Sequence, residues 1–216
     1  KERFLAELGH ELATPLHAVL GLLELIDPGG LTIADQGRVS EIRDHAVTLS
    51  GLLNGLVDLA GAEGSSAPQH FERRRPSAWL DELIARWTRE AAASGQLVAP
   101  SVAGHDVEVF LDWDRLTRIV DALMSNAVRH ASPGLIEIEV VVAAGDTQVT
   151  VTDAGPGMSP AELNTAYEPF IKHGSAGGVG IGLSLAQRLA VGGGGSLELK
   201  SEEAATQARV ILPRGR

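Results

Sequence analysis

In the first 26 residues the apolar positions Leu5, Leu8, Leu12, Leu16, Val19, Leu23 and Ile26 recur at spacings of three and four, which places them on one face of a helix. The same rhythm returns through Val39, Ile42, Ala46, Leu49, Leu53, Leu56 and Ala60. Between the two runs, DPGGLTIADQG holds Pro28, Gly29, Gly30 and Gly37, enough turn chemistry to reverse the chain. The pattern predicts a helical hairpin. Two helices bury too little by themselves, so the apolar stripe predicts a second copy and a homodimeric four-helix bundle.

After Ala60, GAEGSSAPQ reads as a linker, and the period changes near Phe71. Helical patterns over Trp79–Ser94, Asp114–Ala131, Pro160–Tyr167 and Leu183–Val191 interleave with the β-rich runs VEVFL, LIEIEVVVA, QVTVTD, SLELK and ARVIL, and AAGD supplies a hairpin turn between the second and third. Irregular interleaving of this kind predicts an α+β domain, a mixed sheet with helices on one face. The expected organisation is therefore two-domain: an all-α hairpin over residues 1–63, a linker over 64–70 and an α+β domain over 71–216.

Composition narrows the function classes. Eighteen basic against 28 acidic residues give a net charge of −10, which disfavours a nucleic-acid partner. No cysteine is present, so there is neither a disulfide framework nor a thiolate metal site. No stretch approaches the roughly 18 consecutive apolar residues of a membrane span, so no direct membrane contact is expected of this chain. It begins inside a helical pattern, and a fragment of a longer protein is expected.

At 100° per residue His10 lies about 170° from the mean direction of the leucine seam, so it faces solvent even in a dimer. Thr14 shares its face, and Glu11 sits beside it, about 100° around the helix. An adjacent carboxylate can hold an exposed imidazole in one tautomer and make it a better nucleophile. Pro15 removes a backbone donor and leaves the Glu11 carbonyl without its helical partner. By periodicity alone His10 is equally a solvated surface residue, as His17, His45 and His70 are.

The segment FLAELGHELATPLHAVLGLLELI resembles the phosphoacceptor box of sensor histidine kinases, a His-Glu pair followed by x-x-Thr-Pro-Leu; His10, Glu11, Thr14, Pro15 and Leu16 match it. Gly9 stands where that family commonly has Ser, and Ala13 where it has Arg. Glycine inside a helix costs about 1 kcal/mol relative to alanine, which weakens the helix beside His10.

In the second domain, VTVTDAGPGM puts Asp153 in step with Val149 and Val151, so the carboxylate ends the inward face of a strand and enters a loop with Gly155 and Gly157. A buried carboxylate needs a partner. That partner is either the loop's own backbone or the exocyclic amine of adenine, with the two glycines allowing close approach to the base. GGVGIGLSLAQRL sets alternating glycines before a helix whose free amides can face phosphates. No Lys-Ser/Thr follows, which argues against a P-loop, and no early βαβ unit precedes it, which argues against a dinucleotide fold. Asn126 shares the apolar face of its helix with Ile119 and Leu123. A buried amide there is either a satisfied structural group or an oxygen ligand for Mg²⁺, which takes one or two protein oxygens plus phosphates.

Taken in order, these segments resemble the catalytic ATP-binding domain of histidine kinases, within the class that includes gyrase, Hsp90 and MutL ATPases, and imply a Bergerat-type ATP-binding fold. The resemblance assigns Asn126 to the N box, Asp153, Gly155 and Gly157 to the first glycine box, Phe170 to the F box, and Gly178, Gly180 and Gly182 to the second. It implies ATP and Mg²⁺ as cofactors, held by these residues together with Arg129, His130, Lys172 and Leu183, with Asn126 on the metal. Ala122 replaces a frequent second Asn, Arg129 a frequent Lys, and the lid IKHGSA is short.

The implied function is an ATP-dependent histidine autokinase of a two-component system. In it His10 takes the phosphoryl group, Glu11 accepts the proton or orients the ring, and Thr14 positions water for the reverse reaction. A response-regulator receiver aspartate is the onward acceptor. The implied setting is the cytoplasmic portion of a bacterial inner-membrane sensor. Gly9, Ala122 and the short lid motivate a different class, a signalling scaffold that hetero-associates with another histidine kinase and has weak or no autophosphorylation. An ATPase of the gyrase or Hsp90 type leaves His10 and the hairpin without a role.

Overall fold

The computed structural model describes residues 70–130, 133–171, 180–202 and 205–215, and ten positions before residue 70. The chain divides into two compact units, Lys1–Gly64 and Ser65–Arg216.

In the first unit Val19, Gly21, Leu23, Asp35, Arg38, Val39, Ile42 and Ala46 are helical. Of the seam positions among them, Leu23 and Ala46 are buried, whereas Val19 and Ile42 are exposed in a single chain. The Asp35 amide donates to Thr32 Oγ1 at 3.2 Å, and Arg38 pairs with Asp35 at 2.8 Å. Thr32 Oγ1 thus satisfies the Asp35 amide.

The second unit runs β1 (Phe71–Arg74), α1 (Pro76–Ala93), β2 (Leu97–Ala103), β3 (Val109–Asp112), α2 (Trp113–His130), β4 (Leu135–Val142), β5 (Asp146–Asp153), α3 (Pro160–Thr165), α4 (Gly182–Gly192), β6 (Ser196–Glu202) and β7 (Ala205–Pro213). β1 and β3 form an antiparallel ribbon, and the five-stranded sheet has the order β2-β4-β5-β7-β6. β2 and β4 are parallel and the other pairs antiparallel, so the sheet is mixed as the interleaved pattern predicts.

One face of that sheet carries Ile136, Ile138 and Val140 of β4, Val149 and Val151 of β5, Ala208, Val210 and Leu212 of β7 and Leu197 of β6, all buried. Against it pack α1 at β2, α2 at β5 and α4 at β6. The strict alternation of burial along β4 and β7 is the period of a sheet covered on one side.

α2 is held by hydrogen-bonded indoles as well as apolar contact. Trp79 Nε1 donates to Thr117 Oγ1 and Trp87 Nε1 to Asp121 Oδ1, each at 2.8 Å, and the Trp79 and Trp113 rings pack 5.5 Å apart. In the first turn of α2, Arg115 pairs with Asp112 at 3.1 Å and donates to the Leu189 carbonyl of α4 at 3.1 Å. Both helices that carry sequence motifs are thereby fixed to one core.

Several boundaries differ from the sequence expectation. α1 begins at Pro76 instead of Trp79, because proline at the first helical turn needs no donor. The strand expected at VEVFL begins at Val109 and runs on to Asp112. β1 and β2 carry no period-2 signature and were not anticipated; β2 contains Pro100, which an edge strand tolerates. α3 ends at Thr165 rather than Tyr167, whose hydroxyl instead donates to the Leu197 carbonyl of β6 at 3.1 Å.

Thr147 of β5 is a polar residue placed inside the core. It is fully buried, and its Oγ1 makes no hydrogen bond among the described residues. A buried hydroxyl left unpaired costs about 1–3 kcal/mol, so Thr147→Val is expected to raise the unfolding free energy by about 1 kcal/mol. Urea denaturation reads this directly, and a lower midpoint would mean that the hydroxyl is satisfied.

Candidate functional site

Asp153 is the last residue of β5. Its place on the inward face follows from the parity of Val149 and Val151, and the strand register sets it between Ile136 of β4 and Thr206 of β7. The carboxylate is buried. Oδ1 accepts from the Gly155 amide at 2.9 Å, while Oδ2 has no partner among the described residues. Burial pushes the Asp153 carboxyl above its ordinary value, and the Gly155 amide opposes the shift without cancelling it. Of the two partners left open by the sequence, the loop's own backbone is the one observed.

The loop after Asp153 crosses toward β6. The Met158 amide donates to Ser201 Oγ at 2.6 Å, and Gly157 has φ +75. A Cβ on Gly157 would overlap the Glu202 carbonyl oxygen and lie 3.0 Å from Ser201 Oγ. Gly157 therefore permits both the left-handed backbone and the close approach to the β6–β7 hairpin.

The second glycine motif reaches α2. Gly182 opens α4, and a Cβ there would sit 3.8 Å from the Ala122 carbonyl. Asn126 lies one turn further along α2. Gly180 has φ +74 and its carbonyl accepts from the Phe170 amide at 2.8 Å, which draws Phe170 and Gly180 together. Phe170 itself has φ 69 and is exposed, an unusual backbone for an aromatic residue. Leu183 is half-buried at the start of α4.

Asn126 departs from its expected place. It is half-buried rather than a core residue, although other pairs seven apart on this helix, such as Leu116 and Leu123, are both buried. Arg129 is exposed, with Nη2 donating to Ser125 Oγ at 3.2 Å, and His130 is half-buried. Among the described residues no three His, Asp or Glu side chains group together as a metal cage. A hard cation beside Asn126 would depend on phosphate oxygens for most of its shell, which suits Mg²⁺.

His10, Glu11, Thr14, Lys172 and Gly178 lie outside the described residues. Two residues beside the site carried no local sequence signal. Thr206 is buried next to Asp153 on the same face, and Ser201 is the next residue in that row. Only the strand register brings them there.

The comparisons with known proteins agree with this architecture. Residues 111–216 match the family of histidine kinase-, DNA gyrase B- and HSP90-like ATPases, and residues 1–64 match the His Kinase A (phospho-acceptor) domain. The sensor protein TorS of Escherichia coli is 29% identical over 206 residues, covering 93% of this chain and 22% of TorS. The aerobic respiration control sensor protein ArcB of the same species is 29% identical over 213 residues, covering 94% of this chain and 27% of ArcB. The sensor protein SrrB of Staphylococcus aureus is 27% identical, and this chain spans 36% of its length. The chain thus corresponds to about a third or less of these relatives.

Among solved structures, full-length ShkA in complex with AMPPNP superposes over 100% of this chain and 46% of its own with a TM-score of 0.83 at 24% identity. The Acinetobacter baumannii histidine kinase AdeS superposes over 96% of this chain and 98% of its own with a TM-score of 0.67 at 18% identity. These likenesses establish the fold. With both family segments present in order and sensor proteins matching along almost the whole chain, this chain belongs to the sensor histidine kinases, carrying their phosphoacceptor segment followed by their ATPase domain.

Proposed function

We propose that this chain is the ATP-dependent autokinase core of a two-component sensor, transferring the γ-phosphoryl group of ATP to His10 and then to a receiver-domain aspartate. The observation that carries the reading is Asp153: a buried carboxylate with one oxygen unclaimed among the described residues, opening a loop whose Gly157 has a left-handed backbone, and downstream of a phosphoacceptor motif.

In this reading Asp153 Oδ2 accepts from the exocyclic amine of adenine, and the amides at the start of α4 face the phosphates. Asn126 would hold Mg²⁺ through its amide oxygen, with Arg129, His130 and Lys172 contributing polar groups around the polyphosphate. Bound Mg²⁺ supplies charge neutralisation on the phosphate oxygens. Catalysis is mostly positioning: a ring nitrogen of His10 forms the new N–P bond as the bond to the β,γ-bridging oxygen breaks. ADP leaves, and Glu11 takes the ring proton or orients the ring. Thr14, one turn on, positions water for the reverse reaction.

The first unit is read as the homodimer interface. Val19 and Ile42 are seam positions exposed in a single chain, and a second hairpin would cover them. The same reading makes the chain the cytoplasmic part of a membrane-anchored sensor. Among the described residues no helix is long and apolar enough to cross a membrane.

Incubation with γ-labelled ATP and Mg²⁺ tests the proposal. Acid-labile, base-stable label on the protein is the expected result. ATP binding with no label would instead favour the scaffold that pairs with another histidine kinase.

Asp153 gives a pH signature. Asp153→Ala removes a charge-supported acceptor worth about 1.5–3 kcal/mol, so ATP affinity is expected to fall more than tenfold. In the wild type the folded carboxyl titrates above its unfolded value. At a pH between those two values the native apo protein holds a proton that the unfolded chain has released. Its stability falls as pH rises between the two values and is highest below both. ATP binding requires the ionised form, so affinity should weaken as pH drops through that raised value, and Asp153→Asn should flatten the profile. An identical pH profile for wild type and Asp153→Asn would remove Asp153 from base recognition.

A further inference from the structure

Ser201 stands two strands away from Asp153, in the same row of the sheet. Asp153 pairs with Thr206, and Thr206 with Ser201, so all three point to one face. From this row the loop 154–158 takes two side-chain anchors. At its near end the Gly155 amide donates to Asp153 Oδ1 at 2.9 Å. At its far end the Met158 amide donates to Ser201 Oγ at 2.6 Å.

The Ser201 hydroxyl is itself oriented, because its proton goes to the Ala205 carbonyl at 3.2 Å. That leaves a lone pair directed at Met158. Between the anchors Gly157 lies against Ser201 Oγ and the Glu202 carbonyl, so the loop has no slack on the hairpin side.

We propose that Ser201 is a positioning residue for base selection: it fixes the far end of the loop, and through the Gly155 amide sets which way the Asp153 carboxylate presents its free oxygen. The inference rests on the nucleotide-site reading above. A carboxylate accepts from an amine and repels a carbonyl, so its aim decides between adenine, with an exocyclic amine, and guanine, with a carbonyl at the same place. Losing the Ser201 anchor lets Gly155 and the Asp153 carboxylate rotate together, and adenine loses more than guanine does.

The junction also borders an open cleft of about 560 Å³ lined by Pro156, Met158, Ser159, Pro160, Ser201 and Glu202. Water in that cleft can solvate the Met158 amide when the hydroxyl is gone. The fold should therefore tolerate the loss better than the site does.

The test measures ATP and GTP dissociation constants and apo melting temperatures for the full chain as wild type, Ser201→Ala and Ser201→Thr. Ser201→Ala is expected to weaken ATP binding on the order of tenfold, the scale of one hydrogen bond, with a smaller change for GTP. Ser201→Thr, which keeps the hydroxyl, restores the ATP-to-GTP ratio. Parallel weakening of both nucleotides, or an unchanged ATP constant, overturns the proposal. Should Ser201→Ala fail to fold, Ser201→Cys reads the same ratio, since a thiol is a weak acceptor. A wild type that binds neither nucleotide fails the underlying site reading as well, whereas a wild type that prefers ATP beside an unchanged Ser201→Ala ratio fails this inference alone.

Discussion

His10→Ala is expected to abolish phosphoryl labelling while ATP affinity and sedimentation stay within experimental error of wild type. The asymmetry follows from where the residue lies. His10 points about 170° away from the leucine seam on an ideal helix, so its removal should leave the bundle interface intact. It belongs to a different compact unit from the one that carries Asp153 and the glycine motifs, so nucleotide binding should not sense it. What the substitution removes is the only nitrogen that the Glu11–Thr14–Pro15 pattern singles out as nucleophile, and no neighbouring water or hydroxyl replaces an imidazole there. Retained acid-labile label on the variant would move the acceptor to another histidine, with His17 and His45 the first to substitute. Loss of ATP affinity together with label would mean that His10 has a structural role instead.

The hydrophobic pattern was legible wherever one residue period dominated. α2 and β4 could be placed within a residue or two because burial alternates along them with the helical and strand periods. The Asp153 loop was legible because parity along β5 forces the carboxylate inward. β2 was not legible: its edge position leaves Leu97 and Pro100 exposed, and the partner β4, not its own sequence, makes it a strand. Thr206 and Ser201 show the same limit at the site. Each is an ordinary polar residue near a strand end, and its relation to Asp153 is set by pairing between strands distant in sequence. The Thr206 position shares the parity of Ala208, Val210 and Leu212, which marks it as inward-facing but not as Asp153's neighbour. Asn126 shows the converse, a heptad spacing from Ile119 that reads as core at a position the fold leaves half-buried.

Gly157→Ala should weaken ATP binding on the order of a hundredfold, with a matched glycine elsewhere as the control. Gly157 combines two demands that alanine cannot meet together. Its φ of +75 costs a residue with a Cβ about 1–2 kcal/mol, and that Cβ would overlap the Glu202 carbonyl oxygen. The obstacle is backbone in a paired β-hairpin, so it cannot swing aside as a side chain would. The loop must lift off β6 instead, which breaks the Met158–Ser201 hydrogen bond and turns the Gly155 amide away from Asp153. Gly104 separates the two costs: its φ is +90, yet a Cβ there meets nothing within 4 Å. Gly104→Ala should therefore lose about 1–2 kcal/mol of stability from backbone strain alone and bind ATP as the wild type does. Calorimetric titration of the two variants beside their urea denaturation decides the matter. If Gly157→Ala binds ATP normally, or if Gly104→Ala loses as much affinity, then the glycine loop does not form the nucleotide site.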